Sequence, residues 1–146
     1  MLKNIFFAVI SIFVFYATSQ AQTKADSTAI KETTLNYIEG WYSGDGARME
    51  KALFPELAKR GIVNQAGKPT QIMKAGFNEM VEWTKKRPNL LKDNKNLVGK
   101  ITIYEILNGI ANVKCESKDF IDYIHLGKIN GEWKIVNAIW EFNTKK

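Results

Sequence analysis

Phe120-Ile121-Asp122-Tyr123-Ile124-His125-Leu126-Gly127-Lys128-Ile129-Asn130-Gly131-Glu132-Trp133-Lys134-Ile135-Val136-Asn137-Ala138-Ile139-Trp140-Glu141-Phe142 decides the fold. Two runs rich in β-branched and aromatic residues are joined by Asn-Gly, a pair favoured in two-residue hairpin turns because both residues tolerate positive φ. With Asn130-Gly131 as the turn, Ile129 faces Glu132, and the pairing steps outward to Leu126 opposite Ile135, Ile124 opposite Asn137 and Asp122 opposite Ile139. One face then carries Asp122, Ile124, Leu126, Trp133, Ile135 and Asn137. The other carries Tyr123, His125, Val136, Ala138, Trp140 and Phe142.

Upstream, Asn108-Gly109 marks a second tight turn, so four strands are expected, over about residues 98–107, 110–116, 120–129 and 132–142. Helices precede them. Asp26 and Ser27 can cap a first helix whose Ile30, Thr34, Tyr37, Ile38 and Trp41 repeat with a 3.6-residue period, ended by Ser43-Gly44. Asp45 can cap a second, short helix with Met49, Ala52 and Leu53 on one side, stopped by Phe54-Pro55. Met73, Phe77, Met80, Val81 and Thr84 signal a third, closed by Lys85-Lys86-Arg87 and Pro88; those cations read as a solvated helix end. A minor strand pair is possible over 60–63 and 69–72. Helices followed by an antiparallel meander make an α+β class, with helices covering one face of a curved sheet. Both hairpin faces are largely apolar and helices can cover only one, so a homodimer through the outer sheet face is expected. With Trp140 on that face, Trp140→Glu is expected to give a monomer or an insoluble protein.

The chain has 146 residues, 45% hydrophobic and 25% charged, which suits one globular domain and excludes a multidomain enzyme. One cysteine and one histidine rule out an intrachain disulfide and a multi-histidine metal site from this sequence. Cys115, without a mate, is expected to be buried. Residues 1–21 read as a secretory signal: a basic start at Lys3, a short apolar run over 5–17, and Ser19-Gln20-Ala21 with small residues at the positions a signal peptidase reads. The apolar run is too short for a bilayer span of about 20 residues, so no stable membrane span is expected after cleavage. A single domain over 22–146 remains, secreted or periplasmic. Loss of Lys3 leaves 20 basic against 15 acidic side chains, a formal +5, and export argues against a nucleic-acid partner.

Asp122 is the candidate for chemistry, because a carboxylate among Ile, Leu and Trp loses hydration and becomes able to exchange a proton near neutrality. A merely structural hydrogen bond at the sheet rim is the other reading of it. His125 cannot join it in a regular strand, since residues three apart point to opposite faces, and reads as an interface histidine. Tyr37, Trp41, Tyr104, Trp133 and Asn137 are candidate ligand contacts, aromatic rings being suited to stacking on a flat molecule; Tyr42, Phe77 and Trp83 are further aromatics that can line a pocket or fill a core. No GxSxG, GxGxxG, P-loop or HExxH motif is present, so acyl-transfer, dinucleotide, nucleotide-phosphate and zinc-protease readings lack their signatures. No cofactor or metal is expected.

The segments Leu35-Asn36-Tyr37-Ile38-Glu39-Gly40-Trp41-Tyr42-Ser43-Gly44-Asp45 and Phe120 to Asn137 resemble the putative lumazine-binding family of the nuclear transport factor 2-like superfamily, which has SnoaL and ketosteroid-isomerase relatives. The resemblance spans most of the mature chain. It implies a cone-shaped, cystatin-like roll in which a strongly curved antiparallel sheet wraps a long N-terminal helix around an apolar pocket. It also implies that Asp122 stands where superfamily enzymes commonly keep a proton-transfer Asp, whereas Asn137 stands where many members have His. Three functions follow as expectations: an exported protein binding a small, largely apolar or aromatic molecule; a SnoaL-type or ketosteroid-isomerase-type lyase or isomerase using Asp122 as acid or base; and a structural or protein-interaction domain.

Overall fold

The amphipathic segment expected after Asp26 is helical over residues 24–43 (α1) in the computed structural model, which describes residues 24–144. The expected leader, 1–21, lies outside the described residues. Ile30, Thr34, Tyr37 and Ile38 are buried, as their spacing requires. Asp26 is not the cap: it lies within the helix, and its Oδ1 accepts from Lys128 Nζ at 2.7 Å and Trp133 Nε1 at 3.0 Å, tying the start of α1 to the last hairpin. Gly44 ends α1 at φ +71°, and a Cβ there would also stand 2.3 Å from the Arg87 carbonyl oxygen. Asp45 then caps α2 (Gly46–Ala52), accepting from the Arg48 amide at 3.0 Å.

Pro55 stops the helix but does not open a loop. The chain passes straight into β1 (Leu53–Val63), much longer than the expected 60–63, with irregular pairing between Leu53 and Ala58 accommodating the proline. β2 (Gln71–Ala75) pairs with it antiparallel, so Met73, expected on a helix, is a strand residue, and α3 begins later (Phe77–Lys85). Lys85 and Lys86 are exposed, as a solvated helix end requires, although Lys85 also pairs with Glu50 and Glu82; Arg87 is engaged, stacked 4.1 Å over the Trp41 ring while donating to its carbonyl.

β3 (Val98–Leu107), β4 (Ile110–Ser117), β5 (Phe120–Ile129) and β6 (Glu132–Phe142) follow the expected meander. The sheet order is β2-β1-β6-β5-β4-β3, antiparallel throughout except for the parallel β1–β6 pair, and the helices pack on one face of the curved sheet. Asn130 and Gly131 have φ of 51° and 86°, the turn their sequence requires.

The hairpin register corrects the expectation in its outer half. Ile129 faces Glu132 and Leu126 faces Ile135, but the next pair is His125 with Asn137, leaving Val136 as an extra residue; Ile124 then faces Ala138 and Asp122 faces Trp140. One inserted residue reverses the alternation of everything after it. Asn137 and Ile139 therefore point outward beside His125 and Tyr123, and Trp140 points inward beside Asp122. Trp140→Glu is thus no probe of the outer face.

Cys115 is buried, as expected. Burial, helped by the neighbouring Asp122 charge and opposed by Lys59, pushes its thiol from an ordinary value of 9.0 up to about 12. The folded chain therefore keeps this proton after the unfolded chain has lost it. Its contribution to stability is complete below pH 9.0 and falls between there and about pH 12, at about 1.4 kcal/mol per pH unit. Urea denaturation should show this slope just above pH 9.0, and Cys115→Ala should flatten it; an unchanged slope would count against a buried thiol.

Candidate functional site

On β1 the residues Leu57, Lys59, Gly61 and Val63 alternate inward and are all buried. That periodicity carries an ammonium group into the interior, where Lys59 is only 8% exposed. It meets Asp122 of β5 and Tyr37 of α1. Lys59 Nζ lies 2.5 Å from Asp122 Oδ1 and also donates to the Tyr37 hydroxyl oxygen, while the Tyr37 O–H donates to the same Oδ1 at 2.8 Å. Burial, followed by the Asp122 charge and hydrogen bond, holds the Tyr37 phenol well above its ordinary value of 10.0, so it remains a donor. The ammonium also sits 5.0 Å from the Tyr37 ring centre and 5.4 Å from that of Trp140.

Above this cluster is a cavity of about 210 Å³. Tyr37, Ile38, Lys59 and Met80, all buried, form its deep end; Trp41, Phe120 and Trp140, half-buried, line it further out; Met73, Trp83 and Phe142, all substantially exposed, mark its mouth. Phe120 meets Trp41 edge-on at 6.3 Å and Trp140 at 5.2 Å, and Phe142 continues the row 5.3 Å from Trp140. The Trp140 indole lies directly on Gly61, where a Cβ would come within 2.3 Å of the ring. Only glycine leaves room for the indole to lie back against β1.

Of the sequence candidates, Tyr37 and Trp41 line this cavity, and Asp122 lies beneath it with a side chain 2% exposed, behind Lys59 and Tyr37. Three are elsewhere. Tyr104 is on the outer face, 54% exposed, its ring stacked on Tyr123 at 6.5 Å. Trp133 is core, held by Asp26. Asn137 is outside because of the Val136 bulge, with Nδ2 3.0 Å from His125 Nδ1. Sequence reasoning missed Lys59 and the inward turn of Trp140 and Phe142. The alternation Leu57-Lys59-Gly61-Val63 was a usable signal for the first.

Among the described residues, no group of three or more His, Cys, Asp or Glu side chains could hold a metal ion, and no helix is long and apolar enough to cross a membrane.

A family profile described as putative lumazine-binding matches residues 25–141. No curated protein matches the chain. Among solved structures, an NTF2-like protein of unknown function from Silicibacter pomeroyi is similar over 83% of this chain and 98% of its own, at 16% identity and TM-score 0.63. An NTF2-like protein with a cystatin-like fold from Novosphingobium aromaticivorans covers 89% of this chain and 90% of its own, at 12% identity and TM-score 0.63. One from Methylobacillus flagellatus, also of unknown function, reaches 23% identity and TM-score 0.58 over 82% of this chain and 94% of its own. At these identities the likeness is one of fold: an α+β, cystatin-like arrangement.

Proposed function

We propose, from the premise that this chain belongs to the putative lumazine-binding family, that its inner cavity binds a small, largely apolar or aromatic molecule without acting on it chemically. The observation that carries this reading is the row of aromatic rings around a cavity of about 210 Å³ that ends on a single buried charge cluster. Apolar walls with a few convergent polar groups are the usual form of a small-molecule site. The lyase or isomerase alternative finds less support. Asp122 Oδ1 is engaged by both Lys59 and Tyr37, and the carboxylate does not line the cavity, whereas a general base must reach the proton it removes.

The mature chain is also proposed to act outside the cytoplasm, secreted or periplasmic, a reading supported by the leader-like composition of residues 1–21. It is also proposed to pair with a second copy through the outer sheet face. There Tyr104, Tyr123 and Ile139 are exposed, and a groove of about 400 Å³ between Leu107, Ile110, His125 and Val136 offers relief for a partner's side chains.

The binding reading is tested with the neutral fluorescent probe N-phenyl-1-naphthylamine. It should bind saturably to the natural chain. In Gly61→Val the new side chain displaces the Trp140 indole into the adjoining free volume, which is the cavity, so binding should weaken about tenfold or more, the scale of losing one well-packed ring contact. Saturable binding that Gly61→Val leaves unchanged would place the probe elsewhere.

A further inference from the structure

The cavity's deep end has a donor to spare. A lysine ammonium carries three N–H groups and no acceptor. Lys59 directs one to Asp122 Oδ1 and one to the Tyr37 oxygen, and no further acceptor for it exists among the described residues. The Tyr37 hydroxyl has no donor left, because its proton is held by Asp122. The Trp41 N–H, also without a partner, is buried away from the free volume. Lys74, the other cation bordering the cavity, is exposed at its mouth. A molecule that fills the deep end thus meets spare donors and no spare acceptor: the third N–H of Lys59 and, on the wall beside it, the Trp140 indole N–H, which is bonded to nothing in the described residues. An apolar edge placed there would strip water from a cation without replacing its hydrogen bond.

Charge balance restricts the occupant further. The Lys59 charge is already met by Asp122 at 2.5 Å, so the cluster is neutral as a pair. A carboxylate inserted beside it would lose its own hydration and come close to a second carboxylate. Shape restricts it again: the Trp140 indole laid back on Gly61 offers one flat wall, and Phe120 stands perpendicular to it as a second side, which leaves a slot suited to a flat ring.

We infer that the ligand class is a neutral, planar ring compound with a carbonyl-type oxygen at its leading edge, which accepts the third N–H of Lys59. This inference rests on the binding reading above and specifies it. It is tested by displacing N-phenyl-1-naphthylamine with three fused bicyclic probes: coumarin, which has a ring carbonyl; naphthalene, which has none; and 2-naphthoate, which is anionic. The reference is Lys59→Met/Asp122→Leu, which removes both charges together, because Lys59→Met alone would leave a buried carboxylate. Going from the natural chain to the double variant, coumarin should weaken about tenfold relative to naphthalene, the scale of one hydrogen bond from a charged donor. In the natural chain coumarin should displace the dye at lower concentration than 2-naphthoate. A coumarin-to-naphthalene ratio unchanged in the double variant, or 2-naphthoate binding more tightly than coumarin, overturns the inference while dye binding stands. If the dye itself does not bind saturably to the natural chain, the binding reading fails and takes the ligand class with it.

Discussion

Lys59→Met should lower the unfolding free energy by about 3–5 kcal/mol, the scale measured when one member of a buried ion pair is removed. The methionine fills much of the same volume, so lost packing is a small part of this. The cost comes from Asp122, left with the Tyr37 hydroxyl as the one donor on its Oδ1 in surroundings that admit almost no water. Lys59→Met/Asp122→Leu should recover most of the loss, because well-packed apolar side chains often equal or exceed a buried ion pair in stability. Urea denaturation of the natural chain, both single variants and the double variant closes this cycle. A single variant within about 1 kcal/mol of the natural chain would mean that the pair is hydrated, contrary to its burial. If the double variant is stable, the pair is not required for folding, and its place at the end of an apolar cavity is better explained by what the ammonium meets there.

The pair also shows how far the sequence could be read. The turns at Asn108-Gly109 and Asn130-Gly131 were legible because positive φ at two successive positions has a local chemical signature. Lys59 had only the short alternation Leu57-Lys59-Gly61-Val63 to mark it, since its partner is 63 residues away and a lysine beside apolar neighbours looks like any surface cation. Pro55 concealed it further: a proline after Ala52 to Phe54 reads as the end of a helix, and that alternation begins too late to show that the strand starts at Leu53. Tyr37 and Trp41 were found because helical periodicity is robust to small errors in boundary. Strand periodicity is not, and the single extra residue Val136 exchanged inside and outside for the rest of β6. That slip did leave a trace. Trp133 and Ile135 are apolar on one parity, whereas Asn137 and Glu141 put polar groups on the same parity and Ala138, Trp140 and Phe142 take over the apolar one. A change of apolar parity within one strand is what a bulge does to a sequence.

The same bulge moves the test of self-association to different residues. Ile139 and Tyr123 are paired in register and both exposed on the outer face, with Tyr104 stacked against Tyr123. If two copies meet there, Ile139→Glu puts a carboxylate at the centre of the contact, and in the dimer a second one approaches it across a twofold axis. The expected effect is that of losing a central interface residue, about 2–4 kcal/mol, so the dimer dissociation constant should rise about 30-fold to 1,000-fold. Sedimentation velocity over a concentration series should then show a monomer where the natural chain is dimeric. Trp140→Ala provides the contrast. It removes a cavity wall ring from the inner face, so it should weaken N-phenyl-1-naphthylamine binding and leave the association equilibrium unchanged, because the two faces are separated by the sheet itself. A natural chain that sediments as a monomer throughout, or an Ile139→Glu chain that associates as before, would remove the outer face as an interface. Loss of association in Trp140→Ala with retention in Ile139→Glu would require the opposite arrangement, with the contact running through the cavity mouth at Trp83 and Phe142.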